Sequence, residues 1–171
     1  AVERISPLFR PGGLVPVVGG TLSNQIITNR SLEAGDAIGV SLIRGDFSMA
    51  GTGTVTLVDE GRVYAFGHPF YNLGEARFPM TGAYIHGVLP SLSISSKISA
   101  VGDVIGTIDQ DRSTGISGSF GAGPRMVPLK VTLAAPDRGR VDSFELEVVA
   151  DDFFTPMLAY NALLNALIGH S

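Results

Sequence analysis

Two side chains in this sequence have the types and settings that nucleophilic acyl chemistry requires. His68 stands in Gly67-His68-Pro69, at the end of the alternating run Arg62–Phe66, with a flexible residue before the ring and a rigid one after it. That setting suits a general base, because a sheet aims the ring while a loop keeps it accessible. Ser117 stands in Gly115-Ile116-Ser117-Gly118-Ser119, where flanking glycines let the backbone turn so that a hydroxyl projects. Gly118 and Ser119 then lie where amide N–H groups face an oxyanion. Asp103, Asp109 and Asp111 are all available to orient the imidazole. Asp109 and Asp111 equally suit a solvated turn beside Arg112, and the Gly/Ser run equally suits a glycine-bulged strand at a barrel corner.

The other histidines have weaker settings. His86 has no ligand partner beside it, and His170 is a residue of the chain end. No His/Asp/Glu cluster has metal-ligand spacing, so neither metal nor cofactor is expected. Gly121-Ala122-Gly123-Pro124 leads into no helix and no Lys-Ser/Thr pair, which argues against a phosphate cradle.

The elements that must position these groups read as strands. Ala37–Phe66 is a three-stranded meander, with Gly45-Asp46 and Asp59-Glu60-Gly61 as its turns. Pro69–Pro79 reads as a loop carrying Phe70, Tyr71 and Phe78. Met80–Leu89, Ser91–Ala100 and Val101–Ile108 are further strands, with Gly102 and Gly106 permitting bulges. Met126–Ala134 and Val141–Val149 alternate most cleanly. A helix over 156–168 closes the chain, with Thr155 as its cap and Pro156 at its first position. Its apolar stripe is Met157, Tyr160, Leu164 and Leu167, widened by Leu163 and Ile168. Residues 1–30 are rich in Pro and Gly and read as an extended arm, and 31–171 as one domain. The fold class expected is mainly β, an antiparallel β-barrel with an N-terminal arm and a C-terminal α-helix.

Composition agrees with that class and narrows the partners. With 44% hydrophobic and only 16% charged residues, and 22 glycines in 171 residues, the chain suits a turn-rich β globule better than a helical bundle. A net charge of −4 without a Lys/Arg run argues against nucleic acid as the main partner. No cysteine is present, so thiol chemistry and disulfides are excluded. No apolar run is long enough to span a bilayer. Ala1 in place of Met is expected of a processed or excised chain.

Gly115–Ser119 matches the G-x-S-G-S/G pattern around the nucleophile of chymotrypsin-like serine peptidases. Together, Gly51-Thr-Gly-Thr-Val-Thr56, Ala65-Phe-Gly-His-Pro69, Val104-Ile-Gly-Thr107 and Gly115-Ile-Ser-Gly-Ser119 resemble the SpoIVB (stage IV sporulation protein B) peptidase family, over roughly residues 35–150. The resemblance implies a chymotrypsin-like β-barrel in an exported or membrane-associated, hence extracytoplasmic, protein. It implies His68 as catalytic base and peptide or protein as substrate. Ser117 fits the family's nucleophile motif except that Phe120 stands in place of Pro. The short chain between His68 and Ser117 leaves a second possibility, a histidine half-site whose nucleophile lies elsewhere. A different class of function also fits, a catalytically silent barrel for binding or homo-oligomeric assembly, suggested by the arm and the apolar helix.

Overall fold

A computed structural model describes residues 32–90, 92, 96–135 and 139–170. The expected arm over 1–30 lies outside the described residues, as do Ser91 and residues 93–95 and 136–138 of the strand and turn assigned there. Among the described residues eight strands and one helix follow in order: β1 Ala37–Gly45, β2 Met49–Asp59, β3 Arg62–Ala65, β4 Gly74–Leu89, β5 Ser96–Arg112, β6 Gly115–Phe120, β7 Met126–Ala135, β8 Arg140–Val149 and α1 Phe154–His170. Among the described residues the fold is mainly β and antiparallel with one C-terminal helix, as the sequence predicts.

The sheet order is β2-β3-β6-β5-β4-β1-β8-β7, and β2 also pairs with β1. That extra pairing gives the first six strands a ring-like arrangement, from which the β7–β8 hairpin extends. β1 explains the junction. It pairs with β2, β4 and β8, and Ile38–Ile43 is buried on both faces, which is why its sequence is almost continuously apolar. One core cluster joins Ile38 and Val40 to Val55, Val63, Phe78, Met80, Ile108 and Ile116, and onward to Val148, Phe154 and Leu158.

The three strands of the meander form, but the first turn is longer than the expected Gly45-Asp46, since Ile43 pairs with Met49 while Gly45 stays in β1 opposite Leu146 of β8. Glu60 (φ 45°) and Gly61 (φ 81°) both adopt left-handed backbone, the two-residue turn whose twist matches a hairpin. Three other boundaries differ. The loop expected over Pro69–Pro79 is a loop only to Leu73, because Ala76 and Phe78 face inward against exposed Glu75 and Arg77, and Glu75 and Phe78 pair with Gln110 and Ile108 of β5. The two expected strands on either side of Ala100 are one strand of 17 residues. Opposite it, β4 shifts register between Met80 and Thr81 and between Thr81 and Ala83, so the bulges beside Gly102 and Gly106 bend the strand without ending it. The run beginning at Asp109 is mostly sheet, since β5 continues to Arg112 and β6 returns from Gly115.

The helix differs in cap and in orientation. Asp151 Oδ1 accepts hydrogen bonds from the amides of Phe153 (2.9 Å) and Phe154 (2.8 Å), so Asp151 is the cap. Thr155 instead donates its hydroxyl to the Val149 carbonyl at 2.7 Å. The face turned to the sheet is Phe154, Leu158, Ala162 and Ala166, while the expected stripe of Met157, Tyr160, Leu163, Leu164, Leu167 and Ile168 is exposed. Small residues inward let the helix lie close to β7 and β8.

Candidate functional site

The His68 turn is set by space left on β2. A side chain at Gly53 would collide with the ring of Phe66, and one at Gly51 with the ring of Phe70. The glycines of the Gly-Thr-Gly-Thr run thus make room for the two phenylalanines that bracket Gly67-His68-Pro69. The Phe66 and Phe70 rings meet edge to face at 5.8 Å, and the Phe66 ring lies 5.6 Å from that of His68. Phe66 has φ 76° and Gly67 φ 74°, two successive left-handed residues that swing the chain off the end of β3. For a bulky aromatic residue this backbone is strained by about 1–3 kcal/mol. Packing and the hydrogen bond from the Phe66 amide to the Thr54 carbonyl (3.0 Å) hold it there.

The ring of His68 is exposed, and its Nδ1 lies 2.8 Å from the carbonyl oxygen of Pro69. A carbonyl can only accept, so in the neutral ring this contact places the proton on Nδ1 and leaves the lone pair on Nε2. This is the tautomer a general base needs.

The loop beyond is pinned from below. Asp111 is wholly buried, and its carboxylate accepts hydrogen bonds from the amides of Phe70 (2.8 Å), Tyr71 (2.7 Å) and Leu73 (3.3 Å). The Tyr71 ring packs tilted against that of Phe154 with centroids 4.8 Å apart, tying the loop to α1.

Ser117 lies mid-strand in β6, opposite Tyr64 of β3 and Gln110 of β5. Its hydroxyl accepts a hydrogen bond from Arg62 Nη2 at 3.1 Å, and the same nitrogen donates to Asp109 Oδ1 at 2.8 Å. Asp109 raises the Arg62 pKa above its ordinary value, first through that hydrogen bond and then through its charge. Gly118 pairs with Val63 and Ile108, and Ser119 with Arg62 and Thr107, so the ladders on both sides of β6 engage this backbone. A Cβ on Gly118 would press on β5 at the Thr107 carbonyl, so this glycine serves close strand approach. Asp103 is exposed in the bulge opposite Gly82, roughly 25 Å of strand from Asp111 at about 3.3 Å per residue.

The structure therefore brings His68 together with Phe66, Pro69 and the Asp111-held loop. Among the described residues no hydrogen bond joins His68 to Ser117, Asp103, Asp109 or Asp111. His86 is exposed against the Tyr84 ring. Among the described residues, no three His, Cys, Asp or Glu side chains come together as a metal site, and no helix is long and apolar enough to cross a membrane.

Two residues carry parts of the site that sequence reasoning did not assign. Arg62 holds Ser117, a partnership visible only once β3 and β6 pair. Arg112 lines a pocket of about 290 Å³ whose other walls include Tyr64, Gly67, Thr114 and Ser117. No family model, curated protein or solved structure matches the chain.

Proposed function

We propose that this domain is the histidine-bearing part of a SpoIVB-type serine peptidase, with His68 as the general base for a hydroxyl supplied from outside β6. The observation that carries this reading is the contact of His68 Nδ1 with the Pro69 carbonyl on a loop anchored by Asp111. It leaves Nε2 basic, accessible and aimed by a fixed backbone. As the attacking hydroxyl forms its bond to the substrate carbonyl, Nε2 takes the hydroxyl proton and then returns it to the leaving amine. The Pro69 carbonyl stabilises the N–H of the imidazolium, the part an aspartate plays in the usual triad. Ser117 suits this chemistry poorly, because its oxygen accepts from a cation and the amides beside it belong to sheet ladders. An extracytoplasmic location belongs to the same proposal.

Fluorophosphonate labelling of the full-length protein tests it. The expected result is a labelled hydroxyl outside residues 32–170, with labelling abolished by His68→Ala and kept by Ser117→Ala. Labelling at Ser117 itself, labelling that survives His68→Ala, or no labelling at all overturns the reading.

A second reading, a homo-oligomeric assembly module, rests on α1. Met157 is 40% exposed, Tyr160 62%, Leu164 37% and Ile168 74%, on a helix that carries no charged side chain. The three-four spacing of Met157, Tyr160 and Leu164 is that of a helix–helix seam, which points to the same helix of a second copy. Light scattering at micromolar concentration should then give a dimer that Leu164→Glu dissociates. A monomer before substitution removes this reading and leaves the first untouched.

A further inference from the structure

We propose that the pocket beside the His68 turn is a specificity pocket for an acidic side chain of a peptide, with Arg112 as its recognition residue. The inference rests on the peptidase reading for its biological sense, although the binding it asserts stands alone. At about 290 Å³ the pocket is sized for one side chain of a peptide, since sites for whole small ligands are larger. Gly67, the residue before His68, forms part of its wall, so a peptide seated there runs past the imidazole. A Cβ built on Gly115 would stand 3.5 Å from the Gly67 amide and 2.8 Å from the Ala65 carbonyl, which shows how closely β6 and the turn share this wall.

The charges select the ligand. Two arginines approach this region of the sheet, and they are in different states. Arg62 is neutralised by Asp109 at 2.8 Å. Arg112 donates Nε to Gln110 Oε1 at 2.8 Å, a neutral acceptor, and has no ion pair among the described residues. That bond fixes the plane of the guanidinium while leaving its terminal nitrogens to meet a carboxylate as a fork. The nearby carboxylates do not compete for it. Asp111 is buried on the opposite face and committed to three amides, and Glu75 lines a neighbouring cleft with Arg77. The rest of the wall is more apolar than polar, with Ala65 and Ile116 beside Thr56, Tyr64 and Thr114, which suits the methylene stem of an acidic side chain and leaves Arg112 to meet its carboxylate.

Titrating the full chain with acetyl-Ala-Ala-Glu-Ala-Ala-amide and its Gln counterpart, followed by backbone amide shifts, tests the proposal. The Glu peptide should bind about tenfold tighter and shift Gly67, Thr114 and Ser117. Arg112→Gln should erase the preference and Arg112→Lys should keep part of it. Both substitutions fall on an exposed side chain, and His68→Ala should leave the preference intact. Equal binding of the two peptides, no binding of either, or a preference that survives Arg112→Gln overturns the proposal. A preference seen without His68-dependent labelling overturns the peptidase reading alone.

Discussion

The carboxylate of Asp111 accepts a hydrogen bond from the amide of Tyr71 at 2.7 Å, and no part of Asp111 reaches solvent. With the amides of Phe70 and Leu73 it forms a three-donor cradle that fixes the turn behind His68. Asp111→Asn turns half of the acceptor into a donor that faces backbone N–H groups. Hydrogen bonds to a buried charge contribute about 1.5–3 kcal/mol each, so the variant should lose roughly 2–4 kcal/mol in urea unfolding. A loss below about 0.5 kcal/mol, the range of neutral surface changes, would show that the cradle does not hold the loop.

The tautomer of His68 is directly observable. Nitrogen NMR of the neutral ring should show the proton on Nδ1, because the Pro69 carbonyl at 2.8 Å can only accept. A proton on Nε2 would remove the lone pair that the proposed base requires.

Gly53 offers a test of how the site is packed. A methyl there meets the Phe66 ring, whereas a methyl at Gly87 meets nothing within 4 Å. Gly53→Ala should cost about 1–3 kcal/mol and shift the amide resonances of Gly67 and His68. Gly87→Ala, in the same fold, should stay within about 1 kcal/mol of the parent. Equal effects from the two would mean that Phe66 is not wedged over Gly53.

Much of this was readable in the chain, and the misses have physical reasons. Strands with strict alternation, such as Met126–Ala135 and Arg140–Val149, declare their buried face in every second residue. The His68 hairpin is equally plain, since Glu60-Gly61 can make its turn. Asp103, Asp109 and Asp111 look alike in sequence. Only the pairing of β5 with β4 and β6 separates an exposed bulge residue, an ion-pair partner and a buried cradle. Ser117 looks like a nucleophile because glycines flank it, yet Gly118 is there so that β5 can approach. The helix was misoriented because it has no charged face. Its apolar side chains support two stripes, and the small residues Ala162 and Ala166 win the sheet side by allowing close contact.

Arg62 should matter little to stability. Its ion pair with Asp109 is short, but the two side chains are 40% and 38% exposed. Solvent screening limits such a pair to below about 1 kcal/mol. The raised Arg62 pKa adds stability that is fully present below the ordinary guanidinium value and fades only as pH rises through the higher folded one. No pH dependence from Arg62 is therefore expected between about pH 5 and 9. Arg62→Ala should shift the urea midpoint slightly and leave fluorophosphonate labelling of Ser117 absent. Removing a cation from a hydroxyl does not supply a base, and His68 makes no hydrogen bond to it. Labelling of Ser117 in the Arg62→Ala protein would show that the arginine had been masking a Ser117–His68 pair.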